Sequence, residues 1–130
     1  MRAVVGEWAL QKYARVKRYV EIYGGVRQNW YRRGNAGCTY TELYCGPGRV
    51  RIEETGEVTH GSPLVAWHES VAVGSPFTQV HVADSDARLV NAAVSRLTNA
   101  NAPAQVEVGS AAQTVDRVMR KLNPYALHFV

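Results

Sequence analysis

The sequence predicts an α/β fold, a parallel sheet with helices on both faces. Three observations carry that expectation. Strand-like runs alternate with helical patterns three times after residue 37 and end on a further strand, the helices open on Gly, Ser, Pro or Asp, and a basic helical segment comes first. Such alternation implies parallel strands joined by right-handed crossovers. A chain of 130 residues makes one domain, and a chain of that size buries roughly two thirds of its unfolded surface. With 46% hydrophobic and 20% charged residues the composition is that of a globular protein, unlike that of a disordered chain.

Residues 6–23 place Ala9, Tyr13, Val16, Val20 and Tyr23 at helical spacing, with Gly24-Gly25 as the stop. A short helix around Trp30 and Tyr31 covers 26–33, and 34–37 form a turn. A strand over 38–44 ends at Gly46-Pro47-Gly48. Val50, Ile52 and Val58, around Thr55-Gly56, predict a small hairpin or a long loop over 49–60. Ser62 as N-cap and Pro63 at the first helical position open a helix that runs to 73. Gly74-Ser75-Pro76 breaks it, and a second strand covers 77–83. Asp84 and Ser85 cap a helix with Leu89, Val90, Ala93, Val94 and Leu97 as its apolar stripe. A loop at 99–103 precedes a third strand at 104–108. Gly109-Ser110 begins a helix with Val115, Val118, Met119 and Leu122 on one face, and Asn123-Pro124 turns the chain into a fourth strand over 125–130. The predicted organisation is a basic helical segment over 1–36 packed on a strand–helix domain over 37–130.

Charge is unevenly spread. Residues 1–33 hold eight Lys/Arg against Glu7 and Glu21, whereas 34–130 hold seven basic and nine acidic residues. Lys12, Arg15, Arg18, Arg32 and Arg33 fit either a phosphate-contacting footprint or a solvated helix face. Trp8, Tyr13, Tyr19, Tyr23, Trp30 and Tyr31 interleave with them; such aromatics either stack on bases or pack the helix on the sheet. No apolar run approaches the ~18 residues of a membrane span, and the start lacks an apolar h-region. Cys38 and Cys45 lie close together, which argues against a disulfide framework and for a reducing, cytoplasmic setting. His60, His68, His81 and His128 have no metal-ligand spacing, so no metal is expected.

Open parallel sheets bind ligands beyond the carboxyl ends of their strands. The first exit is Glu42-Leu43-Tyr44-Cys45-Gly46-Pro47-Gly48-Arg49. Its glycines let the backbone turn sharply and approach a ligand, or they form a plain structural turn. The Gly-Lys-Ser/Thr ending of a phosphate-binding P-loop is missing, and the nicotinamide fingerprint lacks a third glycine opening directly into a helix. At the second exit, Asp84 is placed to bind ribose hydroxyls or to cap the next helix, with Asp86 as a competitor. At the third, Ser110 is placed beside an adenine edge or as an N-cap.

These residues resemble a family. The acidic-Leu-aromatic-small-Gly-Pro-Gly run from Glu42 to Gly48, followed by Gly61-Ser62-Pro63-Leu64, is similar to the three-Cys-motif partner proteins. Those are bacterial proteins with a Rossmann-like, S-adenosylmethionine-dependent methyltransferase-like fold. The resemblance implies an S-adenosylmethionine cradle in which Glu42, Tyr44, Cys45, Gly46, Pro47 and Gly48 hold the methionine part. Asp84 and Ser85 would serve the ribose, and Ser110 and Ala111 would flank the adenine. Ser110 departs from the aspartate common in such proteins.

The leading expectation is therefore the cofactor-binding, N-terminal half of a methyltransferase-like Rossmann sheet, with four strands present and nucleic acid as the acceptor. The fragment alone is expected to be inactive, and no nucleophile or base with a partner is visible. Two other readings stand beside it: a non-catalytic interaction module working through a protein partner, and a cofactor-free nucleic-acid-binding domain. An open apolar sheet edge also invites self-association.

Overall fold

The computed structural model describes residues 3–32, 37–122 and 127–129. The elements run β1 (Ala3–Val5), α1 (Trp8–Ile22), α2 (Gly24–Arg32), β2 (Cys38–Glu42), β3 (Arg49–Ile52) and β4 (Val58–His60). They continue as α3 (Ser62–Ala72), β5 (Gln79–Asp84), α4 (Ala87–Asn99), β6 (Ala104–Val108), α5 (Ala111–Lys121) and β7 (Leu127–Phe129). The turns expected at 34–36 and at Asn123-Pro124, the boundary at 36, and Arg33 lie outside the described residues.

The chain is α/β. Four strands form an all-parallel sheet in the order β6-β5-β2-β7. Side chains alternate between faces along a strand, so Cys38 and Tyr40 share a face with Val80 and Val82. On that face Val20 of α1, Leu64, Ala66 and Trp67 of α3, and Val90, Ala93 and Leu97 of α4 close the core. The crossover from β6 to β7 passes back over β5 and β2, and a right-handed path then sets α5 on the opposite face. Helices cover both faces, as expected. The α5 face is polar: it carries the buried Thr39, Thr41 and His81, and Thr39 Oγ1 lies 2.6 Å from His128 Nδ1.

A second sheet, β1-β3-β4, is absent from the sequence expectation as a sheet. The hairpin at 49–60 forms, with Val50 and Ile52 buried on one side of β3. Three residues at the N-terminus add a parallel strand to it, in register Ala3 with Val50 and Val5 with Ile52. A three-residue strand carries no periodicity of its own, and its partner is 47 positions away.

Several local assignments change. The first helix stops before Gly24-Gly25 as expected, with Tyr23 as the C-cap of α1, but the second begins at Gly24 and not at 26. A Cβ on Gly24 would meet Ser75 Oγ and Val73 Cγ2 at 3.3 Å, so the glycine serves close packing. The N-cap of α3 is Gly61 and not Ser62, whose hydroxyl turns inward. The N-cap of α4 is Asp86, accepting from Arg88 N at 2.9 Å, and not Asp84 or Ser85. β2 stops at Glu42 and not at 44, because the chain folds there into the glycine turn.

Arg27 is counted in the basic segment by sequence, yet it is fully buried. Its Nε donates to Ser75 O at 2.8 Å, and its guanidinium stacks 4.9 Å from the Phe77 ring centroid and 5.7 Å from that of Phe129. That arginine locks α2 to the α3–β5 connection and takes no part in a surface footprint.

Candidate functional site

The exits of β2, β5 and β6 are tied to one another by backbone. Cys45 N donates to Ala83 O at 2.9 Å, and Gly109 N donates to Asp84 O at 3.0 Å. Gly46 N donates to Asp84 Oδ2 at 3.1 Å, while Oδ1 accepts from Asp86 N at 3.1 Å. Each carboxylate oxygen keeps a further acceptor direction. Asp84 thus stands at the glycine turn, held by two amides and only partly buried.

The two glycines of that turn differ. Gly46 has φ +60, and a Cβ built on it meets nothing within 4 Å. Gly48 has φ +80, and its Cβ would lie 2.8 Å from Leu64 Cδ2 and 3.3 Å from Ala93 Cα. Gly48 O also accepts from Gly61 N at 2.9 Å. Gly46 therefore presents open backbone, whereas Gly48 exists so that α3 and α4 can close on the turn. Pro47 is buried, and its carbonyl accepts from Arg96 Nη1 at 2.6 Å.

Glu42 ends β2 beneath α3. Its Oε1 accepts from Tyr40 Oη at 2.7 Å and its Oε2 from Ser62 Oγ at 2.8 Å. Burial raises its pKa, and the two hydroxyl donors and the Lys12 charge oppose that rise. Burial also raises Tyr40, reinforced by Glu42. The Cys45 thiol is pushed up to about 12 by burial and by the charges of Asp84 and Glu42. It stays protonated and is no nucleophile, since only the thiolate attacks.

A cleft of about 160 Å³ opens over this turn, lined by Tyr44, Cys45, Gly46, Pro47, Gly61 and Ser62 on one side. Lys12 and Tyr13, with Trp8 and the β1 residues Ala3 and Val5, close the other. Tyr44 is 76% exposed and Trp8 68% exposed, so two aromatic rings stand at the mouth. Sequence spacing could not bring Lys12, Tyr13 or Ser62 to Glu42, because the first two arrive on α1 and the third on α3. Ser62 had a local signal, the Ser-Pro helix start, that pointed to a different role.

The remaining candidates separate. Ser85 is exposed beside Asp84. Ser110 forms a capping box with Gln113, its Oγ accepting from Gln113 N at 3.3 Å. Its hydroxyl is committed to α5, and Ala111 follows as the first helical residue. Arg15 and Arg18 border an open surface with Tyr19 and Ile22, and neither lines the cleft. Arg32 ends α2, and Arg33 lies outside the described residues.

The site can accept hydrogen bonds at Asp84, offer open backbone at Gly46 and stack an aromatic group at its mouth. No helix among the described residues is long and apolar enough to cross a membrane. Comparison with known proteins finds no family model, no curated protein and no solved structure that matches this chain.

Proposed function

We propose that this chain is the cofactor-binding portion of an S-adenosylmethionine-dependent, methyltransferase-like protein with a Rossmann-like sheet. The strand order supports it: β6-β5-β2-β7 corresponds to 3-2-1-4, the first four strands of the doubly wound order. Ligands of such sheets lie where the order reverses, here between β2 and β7. The observation that carries the reading is Asp84 Oδ2 held 3.1 Å from Gly46 N, which joins an acidic exit to an open glycine backbone.

The residues fit the group in part. The space over Gly46 leaves room for backbone approach. The cleft of about 160 Å³ is below the ~300 Å³ of a drug-sized pocket. It would suit the amino-acid end, with Lys12 among the residues that would hold its carboxylate and Asp84 the residue that would hold the ribose. When bound, the cofactor supplies an electrophilic methyl group. The chain's own contribution is positioning: Asp84 orients the ribose, Tyr44 shields the mouth, and Glu42 fixes the base of the turn through Ser62.

Titration calorimetry of the full chain with S-adenosylmethionine and S-adenosylhomocysteine tests this. Saturable heat that Asp84→Ala weakens at least tenfold is expected. Absence of heat with both ligands overturns the reading. The nucleic-acid acceptor rests on Arg15 and Arg18 beside Tyr19.

The non-catalytic module is favoured by one observation, the absence of an activated base or nucleophile among the groups at the turn. Cys45 is held as a thiol and Glu42 is engaged by two hydroxyls. Recovery of a stoichiometric protein partner with no cofactor bound would select it.

A further inference from the structure

We propose that the cleft between the β3–β4 hairpin, α3 and α4 is a binding site for a phosphoryl group on a small molecule, of the phosphomonoester or diphosphate class. It is lined by Arg49, His60, Leu64, His68, Arg96 and Asn99 with Ala100, and has a volume of about 370 Å³. It does not depend on the cofactor reading, because it shares no lining residue with the cleft over the glycine turn.

Four elements each deliver one cationic or protonatable group: Arg49 from β3, His60 from β4, His68 from α3 and Arg96 from α4. No carboxylate is among the lining residues. Glu69, next to His68 in sequence, faces Lys17 of α1 at 4.0 Å. Arg51 stands two residues along β3 from Arg49, on the same side of the strand, and adds to the positive field.

The arrangement is unfavourable by itself. Arg49 and His60 are directly opposed across the antiparallel β3–β4 pair, and like charges in that position repel. The His60 and His68 rings are 4.9 Å apart. Burial, the neighbouring His68 and the Arg49 charge all lower the His60 pKa. A dianion between these groups turns each repulsion into an attraction and favours the protonated His60 imidazole. Arg96 is held in place by its bond to Pro47 O at 2.6 Å, so part of the ordering cost of binding is met beforehand.

A cation does not suit the same place. Two imidazoles fall short of a usual zinc set, two guanidinium groups flank them, and no cluster of three or more metal-ligating side chains occurs among the described residues. The volume exceeds that of free phosphate, and Leu64 and Ala100 offer an apolar wall for the remainder of a small ligand.

The test is NMR titration of the full chain with pyrophosphate and with a nucleoside monophosphate at pH 6 and pH 8.5, at constant ionic strength. Saturable shifts of the His60 and His68 ring protons are expected, with the pKa of His60 rising as ligand binds. Affinity at pH 6 should exceed that at pH 8.5, and His60→Gln/His68→Gln should lose at least tenfold at pH 6 while melting as a folded protein. Arg49→Gln, on an exposed hairpin position, serves as the second variant and should weaken binding at both pH values. Shifts that do not saturate, or that the variants leave unchanged, overturn the proposal. So does binding of a single-stranded oligonucleotide with no response to pyrophosphate. S-adenosylmethionine binding should persist in these variants, which separates failure here from failure of the cofactor reading.

Discussion

Replacing Gly48 and Gly46 separately by alanine tests the division of labour within the turn. Both residues have positive φ, +80 and +60, and an L side chain there costs about 1–2 kcal/mol. For Gly46→Ala that is the whole cost, since the new Cβ meets nothing within 4 Å. For Gly48→Ala the methyl arrives 2.8 Å from Leu64 Cδ2 and 3.3 Å from the Ala93 backbone. The leucine can swing, but the α4 backbone cannot without moving the helix, and overpacking of this kind adds about 1–3 kcal/mol. The expected totals are about 1–2 kcal/mol for Gly46→Ala and about 2–5 kcal/mol for Gly48→Ala. At roughly 3–5 °C per kcal/mol for a chain of this size, the second variant melts about 6–25 °C below the wild type. Urea denaturation with a common m-value gives the free energies directly. Equal losses for the two variants would refute the packing role of Gly48. The cofactor reading adds an independent expectation: Gly46→Ala, the milder variant for stability, weakens S-adenosylmethionine at least tenfold.

Three other perturbations follow from the same geometry. Ser62→Ala removes a donor from Glu42, and a hydrogen bond to a charged group is worth about 1.5–3 kcal/mol. Its cost should be larger where Glu42 is ionised than in acid, read from urea midpoints across pH. In the wild type, burial raises the folded pKa of Glu42, so its contribution favours the fold at low pH and is lost as pH rises through that folded value. Arg27→Ala leaves Ser75 O without its donor and a void between Phe77 and Phe129; about 2–4 kcal/mol is expected by denaturation. Arg27→Lys should restore little of it, because the ammonium lacks the planar stacking face. If the basic helix contacts single-stranded nucleic acid, Arg15→Gln/Arg18→Gln should reduce the salt slope of binding by about 1.4, at about 0.7 per phosphate contact. An unchanged slope in fluorescence anisotropy excludes those contacts.

The strand–helix alternation was legible because strands β2, β5 and β6 and helices α3 to α5 each carry a strong local signal. The apolar stripe of α4 and Ser110 as the N-cap of α5 are short-range patterns, and both appear in the structure. Caps were less legible where two residue types competed. Asp84, Ser85 and Asp86 are all good caps, and only the path out of β5 decides that Asp86 takes the role and leaves Asp84 to Gly46 N. The glycine turn was visible as a motif, yet Gly46 and Gly48 looked equivalent, since the difference lies in how closely α3 and α4 approach.

The burial of Arg27 shows the same boundary from the opposite side. Composition counts it as one of eight surface cations, whereas the fold places it between two rings and a carbonyl. His60 and His68 carry no recognisable spacing, because one ends a strand and the other lies within the following helix; the turn at Gly61 brings their rings to 4.9 Å. By itself the sequence determined the helices and the strands of the parallel sheet, their order and the acidic and glycine-rich exits, because propensity, capping and side-chain period act over a few residues. The tertiary structure decided the second sheet, the closure of α1 over the turn, the polar face under α5 and the clustering of four basic groups behind Pro47. Those depend on contacts between residues tens of positions apart, where local preference carries no information.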